Sequence, residues 1–104
     1  NITCRIIVYF PYERSITSRT ENIGCGGLRV MLKEDLHISS IVGLEIFLDS
    51  GKIIKCKGKV VWKLEVKGHS SKDEPLYDFG IEFLSIKDSD KEGINKLVYS
   101  LLQS

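Results

Sequence analysis

The chain has 104 residues, 42% hydrophobic and 28% charged, with 15 Lys+Arg against 14 Asp+Glu. That length fits one small domain, residues 1–104, with a modest core. A mean hydropathy of −0.04 and a net charge of +1 exclude a disordered tail, a collagen-like chain and a membrane-spanning helix, and provide no global pull toward nucleic acid or acidic lipid.

No signal-peptide layout opens the chain, and its first residue is Asn rather than Met, as expected of a piece cut from a longer polypeptide. Cys4, Cys25 and Cys56 are odd in number and form no CxxC pair; a metal site would have to recruit His37 or His69 from distant segments. Reduced thiols in a cytoplasmic protein, with no metal, are the expectation.

Strands come first. Ile6–Phe10 is apolar and β-rich and is stopped by Pro11, which cannot donate to a ladder. Ser15–Ile23 is polar and rich in Ser and Thr, consistent with a half-exposed strand. Gly24-Cys25-Gly26-Gly27 is a backbone able to take positive φ in a tight turn, and Leu28–Leu32 resumes the strand pattern. Lys33–Ser40 reads as a connector with room for one helical turn. Leu44, Ile46 and Leu48 alternate with Glu45, Phe47 and Asp49 to form a strand closed by an Asp49-Ser50-Gly51 turn.

The next strand alternates most cleanly. Ile54, Cys56, Gly58, Val60, Trp62, Leu64 and Val66 fall on one face, predicting a long strand with a dry side, and lysines crowd the other. Gly68–Pro75 is a polar loop, and Tyr77, Phe79, Ile81 and Phe83 alternate along a final strand. Only the end is helical: Ile94, Leu97, Val98 and Leu101 recur at i, i+3, i+4 and i+7, behind a Ser89…Glu92 capping box with acids in the first turn. The expectation is a mainly β barrel or sandwich of about six short antiparallel strands, with the helix packed over one end or face.

Catalytic patterns fail in turn, so no enzyme is expected. Neither His37 nor His69 sits near a nucleophile context such as GxSxG. Asp88–Gly93 begins like a calcium loop, but Tyr99 stands where the twelfth-position Glu belongs. The glycines lack the Lys-Ser/Thr of a P-loop, and Arg29 occupies the last glycine of a dinucleotide fingerprint. Lys52, Lys55, Lys57, Lys59, Lys63 and Lys67 form a basic run, yet base recognition on a sheet also needs exposed aromatics. The one aromatic on this strand, Trp62, falls on the apolar face, so DNA and RNA are not expected partners.

A resemblance covers nearly the whole chain. Arg5 followed by Ile6-Ile7-Val8, then Asn22-Ile23-Gly24-Cys25-Gly26-Gly27-Leu28, resembles the opening of a PilZ domain. Gly58-Lys59-Val60-Val61-Trp62, Phe79-Gly80-Ile81-Glu82-Phe83 and the closing amphipathic helix match that family's later landmarks in order. The resemblance implies a six-stranded antiparallel PilZ-like β-barrel with a C-terminal helix. It implies cyclic di-GMP as ligand, recognised by an R-x-x-x-R arm and a (D/N)-x-S-x-x-G turn.

On that pattern Arg5, Asn22, Gly24 and Gly27 are the implied ligand-binding residues, Arg5 matching the second arginine and Asn22 and Gly27 the turn. Asn1 stands where the first arginine is expected, and Gly24 where the serine is. Losing one charged and one neutral hydrogen bond weakens binding by roughly two to three orders of magnitude. Two functions are therefore expected side by side. One is a receptor, whose N-terminal arm orders over the turn and signals to a partner protein or adjacent domain. The other is a ligand-free adaptor making protein contacts in motility, pilus or secretion machinery.

Overall fold

A computed structural model of the protein describes residues 2–66 and 75–103. Asn1, His69 and most of the polar loop expected at Gly68–Pro75 lie outside the described residues. Six strands, β1 (Thr3–Val8), β2 (Arg14–Ile23), β3 (Gly27–Leu32), β4 (Ile41–Phe47), β5 (Ile53–Val66) and β6 (Leu76–Ser85), precede one helix, α1 (Asp88–Gln103). The strands close into an antiparallel barrel in the order β1-β2-β3-β6-β5-β4, with β1 sealing against β4. Closure pairs every strand on both sides over part of its length, which limits free edges in a domain too small to cover them with helices.

The interior is filled by period-2 side chains. Ile6, Val30, Val42, Leu44, Ile46, Ile54, Val60, Phe79 and Ile81 are fully or almost fully buried. β1 begins earlier than its apolar run suggests and ends at Val8, because its ladders with β2 and β4 span Thr3–Val8 and turn Cys4 inward. Phe10 lies beyond those ladders and is 84% exposed.

The Asp49–Gly51 turn forms as expected, with Gly51 at φ 91° and its N–H donating to the Leu48 carbonyl at 2.9 Å. Residues 33–40 contain no helical turn; the connector is instead tied to β5, Ser39 N–H donating to Val60 C=O at 2.7 Å.

Helix α1 starts before the expected capping box. The Lys87 carbonyl accepts from the N–H groups of both Asp90 and Lys91 at 3.0 Å, so Lys87 is the cap and Ser89 lies in the first turn. Asp88 and Asp90 still place negative charge at the positive end of the helix dipole. Ile94 is fully buried, Leu97 and Val98 pack against the core, and the Leu101 side chain lies outside what is described. Asp90 also pairs with Lys52 at 3.1 Å, pinning the helix start beside the β4–β5 turn.

Candidate functional site

Two β-bulges decide what faces outward on one side of the barrel. Between β2 and β3 the register runs Thr20↔Val30 and then Asn22↔Arg29, so β2 carries an extra residue, Glu21. Between β5 and β6 it runs Val60↔Ile81 and then Trp62↔Gly80, so β5 carries an extra residue, Val61. Each bulge resets the in–out alternation by one position. Thr20 and Val60 point into the core, whereas Asn22 and Trp62, which share their sequence parity, are exposed.

The dry side expected along β5 therefore ends at Val60. Beyond it Trp62 is 42% and Leu64 63% exposed, and β4 no longer pairs with β5 past Lys59. The exclusion of base stacking that rested on an inward Trp62 falls with it.

The outcome is one row of directly opposed residues across β2, β3, β6 and β5: Asn22, Arg29, Gly80 and Trp62. At the usual strand spacing this row spans about 14 Å. Asn22, Gly24, Gly26, Gly27, Arg29, Val61, Trp62 and Glu82 are among the residues lining a shallow cavity of about 350 Å³ over it.

Two glycines make that surface possible by close approach. A Cβ on Gly27 would sit 2.2 Å from the Ile81 carbonyl oxygen, so only glycine lets β3 begin against β6 here. A Cβ on Gly80 would sit 2.0 Å from Trp62 Nε1, so only glycine lets the indole come this close to β6, and the ring remains 42% exposed. The turn itself is closed by Gly24 N–H donating to Gly27 C=O at 2.9 Å. Its glycines do not adopt the positive φ expected of them; among the described glycines only Gly51 does. Around Gly24 a Cβ would meet nothing within 4 Å.

Arg29 supplies the cation. Its Nε donates to both Asp78 carboxylate oxygens, at 2.9 and 3.0 Å, and its Nη2 to Oδ2 at 2.7 Å. Hydrogen bonding to Asp78, and then its charge, push the Arg29 pKa up from an already high value. Asp78 is buried and the Arg29 side chain is 46% exposed, so the carboxylate holds Nε and Nη2, Nη1 makes no hydrogen bond among the described residues, and the charge of Glu21 also acts on the group.

Of the residues implied by resemblance, Asn22, Gly24 and Gly27 come together at this cavity and Arg5 does not. Arg5 lies within β1, opposite Thr17 of β2, roughly 17 Å of strand from Asn22. It is no part of a free arm: its guanidinium pairs with Glu45 of β4, which Lys55 also approaches at 3.6 Å. The end of β1 nearer the site is tied down as well, Thr20 N–H donating to Ile2 C=O at 2.8 Å.

Trp62 and Glu82 escape a reading by strict alternation, which puts Trp62 inside, whereas Arg29, like Arg14 and Arg19, is an arginine able to replace the one absent at position 1. The one available signal was Gly80, a glycine in mid-strand, which marks a close approach by another group.

A family model described as PilZ domain matches residues 2–100. No curated protein matches the chain. Among solved structures, the PilZ domain of YcgR from Escherichia coli, with c-di-GMP, is similar at 13% identity and a TM-score of 0.72, over 97% of this chain and 82% of that one. MrkH of K. pneumonia in its apo state is similar at 15% identity and a TM-score of 0.78, over 97% of this chain and 47% of that one. The Bacillus subtilis inhibitor of motility, MotI/DgrA, is similar at 18% identity and a TM-score of 0.76, over 100% of this chain and 48% of that one. At these identities the likeness is one of fold, and the chain spans about half the length of MrkH and MotI.

Proposed function

The chain belongs to the PilZ domain family, and from that premise we propose that it is a cytoplasmic, non-catalytic regulatory domain that binds cyclic di-GMP over the Asn22–Trp62 row. The observation that carries this reading is the pair of bulges, which turn Asn22 and Trp62 out of the core onto one face with Arg29 between them. A base stacks on the partly exposed indole of Trp62, a contact worth about 1–3 kcal/mol. Arg29 Nη1 meets a phosphate through a charge-assisted hydrogen bond, Asn22 offers an amide to a base edge, and Gly24 and Gly27 let the ligand approach the backbone. Binding then alters the surface shown to a partner protein or adjacent domain.

Titration calorimetry tests this directly, and Trp62 adds an optical probe because it is the sole tryptophan. Cyclic di-GMP should give saturable heat and quench the Trp62 fluorescence. Asn22→Ala should abolish the heat while leaving the circular dichroism unchanged. Absence of heat at high micromolar nucleotide would overturn the receptor reading. Arg5→Ala separates two roles for Arg5: loss of binding with an unchanged melting temperature makes it a ligand contact, and unchanged binding with a lower one makes it a brace for Glu45.

A ligand-free adaptor is the second reading, favoured by two observations. The cation lining the cavity is already engaged by Asp78, and position 24 lacks a hydroxyl. Elsewhere Tyr9, Phe10, Pro11, Leu36 and Ile41 help line a larger, mainly apolar groove of about 660 Å³ suited to a protein segment. On this reading a protein partner is retained by Asn22→Ala and Trp62→Ala and lost with Phe10→Ala.

A further inference from the structure

Glu82 lies one row from Trp62 on the same outer face, two residues along β6 from the glycine that seats the indole. That places its backbone about 7 Å along the strand from the stacking platform, near the reach of a purine's edge. Its side chain is exposed and lines the cavity. Among the described residues it makes no ion pair or hydrogen bond, although Lys59 stands opposite it on β5 and Gly27 on β3.

The other polar groups here are not selective in the same way. Asn22 can donate and accept, so it can pair with any base edge, and Arg29 donates to any acceptor. A carboxylate only accepts. Guanine alone presents two adjacent donors, N1–H and the N2 amino group, on its Watson–Crick edge. Adenine presents the N1 lone pair, which a carboxylate repels, beside a single amino group.

Building on the receptor reading, we infer that Glu82 is the specificity-determining residue of the site, accepting N1–H and N2–H from a guanine stacked on Trp62. It stands opposite Gly27, two residues along the β3–β6 ladder from the Arg29–Gly80 pair. Its negative charge acts on the choice between guanine and adenine through the base edge it faces.

The test compares cyclic di-GMP, cyclic di-AMP and the inosine analogue cyclic di-IMP, which lacks the N2 amino group, on the wild-type protein and Glu82→Gln. Gln retains the shape but places an amide where the second acceptor stood. The wild type should prefer cyclic di-GMP over cyclic di-AMP by about tenfold or more, the equivalent of one charge-assisted hydrogen bond. It should also discriminate against cyclic di-IMP. In Glu82→Gln, cyclic di-GMP should weaken about tenfold, cyclic di-AMP should bind equally or more tightly, and the cost of removing the amino group should shrink. A variant that binds cyclic di-GMP with wild-type selectivity, or weakens for all three nucleotides alike, overturns the inference and leaves the receptor reading standing. A wild type that binds none of the three overturns both.

Discussion

At Gly27 a methyl group would meet backbone, and backbone cannot step aside without disturbing the β3–β6 ladder. Gly27→Ala should therefore destabilise the protein by about 1–3 kcal/mol, measured by urea unfolding. Gly80 differs because its close neighbour is an indole rather than main chain. In Gly80→Ala the ring swings outward: the melting temperature should change little, while Trp62 fluorescence shifts to the red and nucleotide binding weakens. Gly24 is the converse, open to anything a side chain would add. Gly24→Ser should fold as well as the wild type and, by restoring one hydroxyl hydrogen bond worth about 1 kcal/mol, tighten cyclic di-GMP about fivefold in calorimetry. An unchanged affinity in that variant would mean the turn is not the ligand's seat.

Among the elements, β5 changes character along its length. Its start, Ile53–Cys56, pairs with β4 alone, Lys57–Lys59 is flanked by both β4 and β6, and beyond Lys59 it pairs with β6 alone. The Val61 bulge falls close to this transition, where a shift of register leaves the ladder with β4 undisturbed. Helix α1 is held mainly by one buried anchor, Ile94, supported by Leu97, Val98 and the Lys52–Asp90 pair. Ile94→Ala should cost about 2–5 kcal/mol, as removal of a buried aliphatic side chain does, and should lower the helical signal in circular dichroism before the β-sheet signal. The Lys52–Asp90 pair joins a half-exposed ammonium to a buried carboxylate, so Lys52→Ala, which takes that partner from Asp90, should cost about 1–3 kcal/mol in urea unfolding.

For the molecule as a whole, closure places Cys4 in the core and Cys56 partly inside, and burial pushes each thiol up to about 11. In the unfolded chain both return to about 9. The folded state therefore holds protons that the unfolded state has lost between those values, and stability falls as pH rises. Urea unfolding should show little contribution from these thiols below pH 9 and a loss on the order of 2 kcal/mol for each of them by pH 11. Cys4→Ala, though less stable at neutral pH, should lose less over the same interval. Alkylation at neutral pH should modify exposed Cys25 well before the other two.

Much of the architecture was legible because a barrel's in–out periodicity is a local property. The succession of strands along the chain, the Asp49–Gly51 turn and the Ile94 face of the helix all follow from residues a few positions apart, and the structure agrees with each. The glycine turn was legible from its own composition, and Asn22 beside it only through the family resemblance. The cavity's other half could not. Whether Trp62 points in or out depends on one unpaired residue, Val61, and that in turn depends on how β5 registers against β6, a match between segments distant in the chain. Arg5 teaches the same lesson in reverse: its neighbours in sequence suggested a ligand arm, and its neighbours in space, Thr17 and Glu45, make it part of the wall. Composition and period determined which residues could fill a barrel. Pairing between strands, which no single segment encodes, decided which polar and aromatic groups share its outer face.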